Sequence, residues 1–253
     1  MGLVGYEVDG PVATLVIDDG KANALSPAMF GAIGEGLERA EADGSVVVLR
    51  GRDGVFSGGF DLNVLRAGGE EALGMLRSGA ALTERLLSFP APVVVACTGH
   101  AVAMGLFTLL SADLRIGPAG PYRFVANEVA LGMTLPYFAV EVLRQRLAPA
   151  AFGRAAVLAE AFTPVEAVAA GILDRVVPAD EVVSMAHDAG HAMALLDRSA
   201  HVATKRRVRE PVLRSLREAI ARDDEDFVAL MTPADVPAGA PAAVGPAPAP
   251  VAS

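Results

Sequence analysis

Three stretches of this chain repeat one order of elements: a short valine-rich strand, a turn carrying glycine, and a helix. The first runs from Val46-Val47-Val48-Leu49-Arg50-Gly51 through Phe56-Ser57-Gly58-Gly59-Phe60-Asp61-Leu62 to a helical stretch over about 70–88. The second has a strand at 93–97, a turn at Thr98-Gly99-His100, and Ala103-Met104-Gly105-Leu106 opening a helix to about 112. A weaker third pass runs Leu114-Arg115-Ile116-Gly117, then 122–128, then a helix from Tyr137 to about Leu147. Units recurring at roughly 45-residue spacing cannot bury their apolar faces alone, so they coil around one shared core. The expected fold is therefore an α/β spiral in which equivalent turns stack side by side. Backbone donors from around residues 60 and 104 can then converge on one atom.

The flanking sequence fits the same picture. Residues 4–8 and 12–17 read as a hairpin across Asp9-Gly10. Ser26-Pro27 starts a helix to about Asp43, and Thr163-Pro164-Val165-Glu166 is a capping box with proline at the first helical position. Gly171 ends that helix, Ile172 to Pro178 reads as a short strand, and 180–197 and about 199–231 read as helices. With 253 residues, 53% of them hydrophobic, the chain can bury a large core. The expected division is a spiral core over 1–195, a helical region over 196–231, and a disordered Ala/Pro-rich tail over 232–253.

A net charge of −9 argues against a nucleic-acid partner, because phosphate binding needs a basic field. The single cysteine, Cys97, sits in an apolar run, which points to a buried thiol and a reducing compartment. The first residues show no basic segment followed by an apolar one, so no signal peptide is expected. The apolar stretch from Phe89 to Leu110 is broken by Pro90, Pro92, Gly99, His100 and Gly105, so it reads as strand, turn and helix and not as a membrane span. The expected location is the cytoplasm.

Glu128 is the one carboxylate in an uncharged, apolar run from Phe124 to Tyr137. A carboxylate in dry surroundings has a raised pKa and can carry a proton at neutral pH. The glycine-containing turns nearby can supply paired backbone N–H groups for a developing oxyanion. A base with an oxyanion hole fits chemistry at a carbon acidified by a carbonyl. A buried glutamate paired with an arginine is the plainer reading. Asp61 reads as a cap after the Gly-Gly turn and His100 as a turn-packing residue. No His, Cys or carboxylate cluster has metal-ligand spacing, and the glycines at 58, 59 and 105 do not form a dinucleotide fingerprint. The cluster Lys205-Arg206-Arg207-Val208-Arg209 reads as a solvated helix face, with contact to coenzyme A phosphates as the alternative.

Over about residues 3–231 these motifs resemble the crotonase superfamily, the enoyl-CoA hydratase/isomerase fold of repeated ββα units with a C-terminal helical trimerisation region. Lys21-Ala22-Asn23-Ala24-Leu25 is similar to the segment lining the coenzyme A site, which places Lys21, Ala22, Ala24 and Leu25 there. Phe56 to Leu62 resembles the loop that gives the first oxyanion N–H, here Phe60, with Ser57, Gly59, Asp61 and Leu62 around the substrate. Thr98 to Gly105 resembles the second oxyanion turn, with Met104 as donor and Val102 and Gly105 beside it. The resemblance implies an acyl-CoA thioester as substrate, no separate cofactor or metal, and a homotrimer or dimer of trimers.

Two departures bear on the chemistry. Hydratases of this family carry two glutamates, and the position of the first is held here by Phe107. The second matches Glu128, and Asn127-Glu128 with Leu131-Gly132 and Pro136 is similar to the Δ3,Δ2-enoyl-CoA isomerase branch. Hydratase activity through Glu128 alone, and acyl-CoA binding without turnover, are the alternatives. Ala103-Met104 also replaces a glycine pair. The hole survives this if the backbone at Met104 stays at negative φ, and the methionine side chain then bears on acyl chain length.

Overall fold

The computed structural model of the chain describes residues 2–230, with side chains described through residue 226. Strands β1 (Val4–Asp9) and β2 (Val12–Ile17) form the antiparallel hairpin, with Asp9 paired to Val12 across the turn. After β3 (Ala24–Leu25), α1 (Pro27–Asp43) starts where the Ser26 side chain accepts the Met29 N–H and stops at the left-handed Gly44. The first repeat then supplies β4 (Val46–Arg50), β5 (Gly54–Ser57), β6 (Gly59–Phe60), α2 (Leu62–Ala67) and α3 (Gly69–Ser88). The second supplies β7 (Val93–Ala96), β8 (Gly99–Val102) and α4 (Met104–Leu110). The third supplies β9 (Leu114–Pro118), β10 (Phe124–Val125) and α5 (Tyr137–Arg146). Next come α6 (Pro149–Leu158), α7 (Pro164–Ala170), β11 (Arg175–Val177), α8 (Val182–Ala194) and α9 (Arg198–Leu230).

Each repeat sends its first strand to one sheet and its second to another. The large sheet has the order β1-β2-β4-β7-β9-β11, and the small one β10-β8-β5. Apart from the hairpin, every pairing in them is parallel. The large sheet is covered on both faces, which is why its strands read as unbroken valine runs. Val46, Val48, Val94 and Ile116 pack with Val182 and Ala186 of α8. Val47, Leu49, Val93 and Val95 face the main core with Ile33 and Leu37 of α1 and Leu86 of α3. Alternate residues of one strand thus serve two cores.

Residues 98–100 do not form the expected turn: Gly99 and His100 are part of β8, paired to Gly54 and Val55. A Cβ on Gly99 would lie 1.9 Å from the Gly54 carbonyl carbon, so glycine here marks backbone contact between strands and not a turn. Helix α6 was not anticipated. It begins at Pro149, a first-position proline, but only Ala151 and Ala155 among its residues are buried, so it carries little apolar periodicity to read.

The basic cluster also needs correction, because two of its cations are neither solvated nor free for a ligand. Lys205 and Arg209 lie on the inner face of α9 and are buried, while Arg206 and Arg207 are exposed. Lys205 Nζ donates to Asp113 Oδ2 at 2.5 Å and to the Ala91 carbonyl at 3.1 Å. Arg209 donates to the other Asp113 oxygen at 3.1 Å and to Gln145 Oε1. Asp113 also accepts the Val93 N–H at 2.9 Å. One carboxylate therefore joins the start of β7 to α9. Further along, Asp223 accepts the N–H groups of Tyr137 and Phe138, each at 2.7 Å, and so caps α5 from α9. Helix α9 packs along α3 and α5 of its own chain. None of the described helices is long and apolar enough to cross a membrane. The expected tail at 232–253 lies outside the described residues.

Replacing Asp113 with alanine leaves two buried cations without their anion. Such losses run to about 3–5 kcal/mol. Urea unfolding of Asp113→Ala should show a fall of that order, and a loss below about 1 kcal/mol would show that α9 is held mainly by its apolar face.

Candidate active site

The loop before β3 is built around two polar side chains. Asp19 accepts the N–H groups of Lys21 (2.7 Å), Asn23 (2.8 Å) and Ala24 (2.9 Å). Burial pushes its carboxyl up, but those donors outweigh burial and hold it below its ordinary value. Asn23 is fully buried with φ 51°, and its amide donates to the carbonyls of Ile17 (2.9 Å) and Phe56 (3.2 Å). Asparagine tolerates this left-handed conformation, and its side chain satisfies the buried carbonyls. Neither residue was singled out from sequence as part of the site. The Asp18-Asp19-Gly20 run, a turn composition, was the available signal.

This loop fixes the first turn. Gly58 N–H donates to the Ala22 carbonyl at 2.8 Å, and Ala24 and Leu25 pair with Gly59 and Phe60 as parallel strands. Ser57 Oγ donates to the Asn23 carbonyl at 2.8 Å and accepts the Gly59 N–H at 3.2 Å. Lys21 and Ala22 are exposed at the rim, while Leu25 and Ser57 are buried. Asp61 caps α2, its Oδ1 accepting the Asn63 N–H at 2.8 Å, and Leu62 is exposed.

The second turn lies directly on the first. Gly59 has φ 95°, and a Cβ there would come within 2.9 Å of Ala103 Cβ, 3.0 Å of the Val102 carbonyl and 3.4 Å of Met104 N. No other residue type fits. Gly105 sits against the Ser57 carbonyl in the same contact. Met104 is the first residue of α4, so its N–H has no acceptor within the helix. Met104 is not among the positive-φ residues; Ala103 carries the unusual backbone instead, at φ 49° and ψ −122°. The alanine-for-glycine exchange thus puts its strain one residue before the expected donor.

The Ala103 N–H donates to the Val125 carbonyl at 2.8 Å, and β10 pairs with β8 in parallel. Three residues beyond Val125 stands Glu128, only 6% exposed. Its Oε2 is buried with no hydrogen-bond partner. Among the described residues no lysine or arginine pairs with it, so the ion-paired reading of this glutamate does not hold. Burial pushes its carboxyl up to about 7. Phe107 of α4 is fully buried, with its ring edge-on to Phe138 of α5 at 6.0 Å. Pro136, half-buried, precedes α5. His100 Nδ1 accepts the Arg123 N–H at 3.1 Å, and its ring meets Tyr122 edge-on. That is a packing role.

Known proteins match this architecture. The family model for enoyl-CoA hydratase/isomerase matches residues 7–243. The chain belongs to the enoyl-CoA hydratase/isomerase family. It is 30% identical over 237 residues to human mitochondrial enoyl-CoA delta isomerase 1, covering 91% of this chain and 78% of that protein. Among solved structures, it resembles an enoyl-CoA hydratase from Mycobacterium marinum with TM-score 0.86 and 45% identity, over 89% of this chain and all of the other. The apo structure of a Mycobacterium tuberculosis enoyl-CoA isomerase matches with TM-score 0.83 and 43% identity, over 90% and 98%. Both hydratase and isomerase names occur among the relatives of this chain. The distinction between them rests on its own residues.

Ala103→Gly relieves a backbone strain of about 1–3 kcal/mol and loses part of it to unfolded-chain entropy. A net gain of about 1 kcal/mol in urea unfolding is expected; a loss would mean that Ala103 is relaxed. For Glu128, the folded protein holds a proton that the unfolded chain releases between its ordinary value of 4.5 and about 7. Stability therefore falls as pH rises through that window. Glu128→Gln removes this slope. The stability difference between variant and wild type should shift in the variant's favour by roughly 3 kcal/mol from pH 4.5 to above 7, and parallel profiles would show that Glu128 titrates normally.

Proposed function

We propose that this chain is a 3-enoyl-CoA isomerase that moves a double bond of an acyl-CoA from C3 to C2. The observation that carries this reading is the single buried Glu128, unpartnered at Oε2 and protonatable near neutrality, with no second carboxylate at position 107.

The thioester oxygen lies between the N–H groups of Phe60 and Met104. Both belong to rigid, stacked turns, so their dipoles are in place before charge develops. Glu128, as carboxylate, takes a proton from C2. The C–H electron pair moves into the conjugated system, and the oxyanion of the resulting dienolate accepts from the two N–H groups. The protonated Glu128 then returns the proton at C4, the carbonyl re-forms, and the double bond comes to rest between C2 and C3. Atoms balance without water, metal or any cofactor beyond the coenzyme A thioester itself. Hydration, by contrast, must orient a water, and two carboxylates do this best. The side chain at 107 is an apolar ring packed on Phe138, which favours isomerisation. Lys21, Ala22, Ala24 and Leu25 would lie along the coenzyme A moiety, with Asp61, Leu62, Val102 and Pro136 around the thioester. A homotrimer or dimer of trimers completes the proposal.

Glu128→Gln should lower turnover of 3-enoyl-CoA by at least about 100-fold while acyl-CoA binding persists. Because the base acts as the carboxylate, kcat/KM of wild type should rise with pH and level off above about 7. The deciding measurement is the ratio of 3-enoyl-CoA isomerisation to 2-enoyl-CoA hydration at matched chain lengths. Hydration as fast as isomerisation overturns the assignment in favour of a hydratase, and turnover of neither substrate favours an acyl-CoA binder.

A further inference from the structure

The side chains of the two oxyanion donors meet at a third residue that no motif singles out. Gly79 is buried in the middle of α3, where its neighbours Met75, Leu76, Ala80 and Leu82 all carry side chains into the core. A Cβ at position 79 would stand 2.7 Å from Phe60 Cζ, 2.8 Å from Phe60 Cε1 and 3.0 Å from Met104 Sδ. The Phe60 ring and the Met104 thioether therefore rest together on the bare helix backbone at Gly79. Phe30 of α1 backs the ring from another side, with centroids 6.0 Å apart. Met104 is fully buried and Phe60 half-buried.

This contact has a fixed relation to the chemistry. Each side chain starts two bonds from the N–H that its own residue would offer the thioester oxygen. With the thioester oxygen on those N–H groups, as proposed above, the wall they form against α3 would stand behind the donors and beside the acyl chain. A glycine at the donor position would leave that space open; methionine fills it with a flexible thioether that needs Gly79 beneath it.

We infer that Gly79 is a specificity-determining position: by seating Phe60 and Met104 it sets a wall that limits the length of acyl chain the site takes. The inference rests on the isomerase reading for the placement of the thioester. Shortening the wall at Met104 makes room for added methylenes. Adding a methyl group at Gly79 pushes ring and sulfur toward the substrate. The sulfur can give, but the ring is held by Phe30.

The test measures binding of saturated acyl-CoAs of four to sixteen carbons by calorimetry, on wild type, Met104→Ala, Gly79→Ala and the double variant. Each buried methylene is worth about fourfold in affinity. Met104→Ala should extend the chain length at which affinity stops rising and gain about tenfold or more for the chains just beyond the wild-type limit. Gly79→Ala should move that limit to shorter chains, and Met104→Ala in the same molecule should restore it. Thermal melts establish that each variant is folded; should Gly79→Ala fail to fold, the Met104→Ala profile decides alone. The same length profile in wild type and Met104→Ala overturns the inference, with the isomerase reading intact. Wild type that binds no acyl-CoA at all overturns that reading and this inference together.

Discussion

The site depends on a contact between two backbones. Gly59 lies so close to the turn at Val102–Met104 that a single methyl group would collide with it. That approach is possible because successive repeats place β5 beside β8 and β8 beside β10 in parallel, carrying equivalent turns to the same end of the small sheet. Everything else is arranged around the closeness. Asp19 and Asn23 hold the β3 segment against the first turn, Ser57 ties that turn to the Asn23 carbonyl, and the Ala103 N–H ties the second turn to β10. Two N–H groups from residues 44 positions apart in sequence can then face one atom, with no side chain required to hold it.

Building a site from backbone has a thermodynamic consequence. Ala103 sits in a conformation that suits glycine, and Glu128 sits where its charged form is disfavoured. Both are locally unfavourable, and each lies within one turn of the residues proposed to react. The surrounding structure has to over-determine them. The bond from the Ala103 N–H to the Val125 carbonyl does so locally, and the frame around it includes the double-faced valine sheet and the ionic clasp of Asp113 with Lys205 and Arg209, which fastens α9 at the start of β7. The same helix then reaches Asp223, whose carboxylate caps the start of α5 next to Pro136. The C-terminal helix is thus bonded to the edge of the proposed site, 86 residues away in sequence.

How much of this was legible follows from which forces are local. The strands of the large sheet could be read because burial on both faces leaves continuous runs of valine. Helices α1 and α7 could be read from caps that involve neighbouring residues only. The burial of Glu128 was legible because isolation in an apolar run is itself a sequence property. Strand β8 was misread because Gly99 serves a contact with Gly54 across the sheet, and a glycine in sequence looks the same whether it turns the chain or lets another strand approach. Lys205 and Arg209 were misread for a related reason: their partner, Asp113, is 92 and 96 positions away. Four-residue spacing places the two cations on one face, but nothing local says that this face is the buried one.

Position 79 extends the point to specificity. Its glycine stands in a helix, where glycine weakens local structure by roughly 0.5–1 kcal/mol relative to alanine, so local stability alone favours a larger residue. What opposes the larger residue lies elsewhere in the chain, in the Phe60 ring and the Met104 thioether. The methionine replaces a glycine of the family pattern in one repeat, and a glycine stands opposite it in the helix of another. A substitution that would overfill the core at one end of the contact is matched by the bare backbone at the other. Under the proposed function, the departure at 104 keeps the donor N–H in place and changes the shape around it, so that one set of backbone donors could serve different acyl chains.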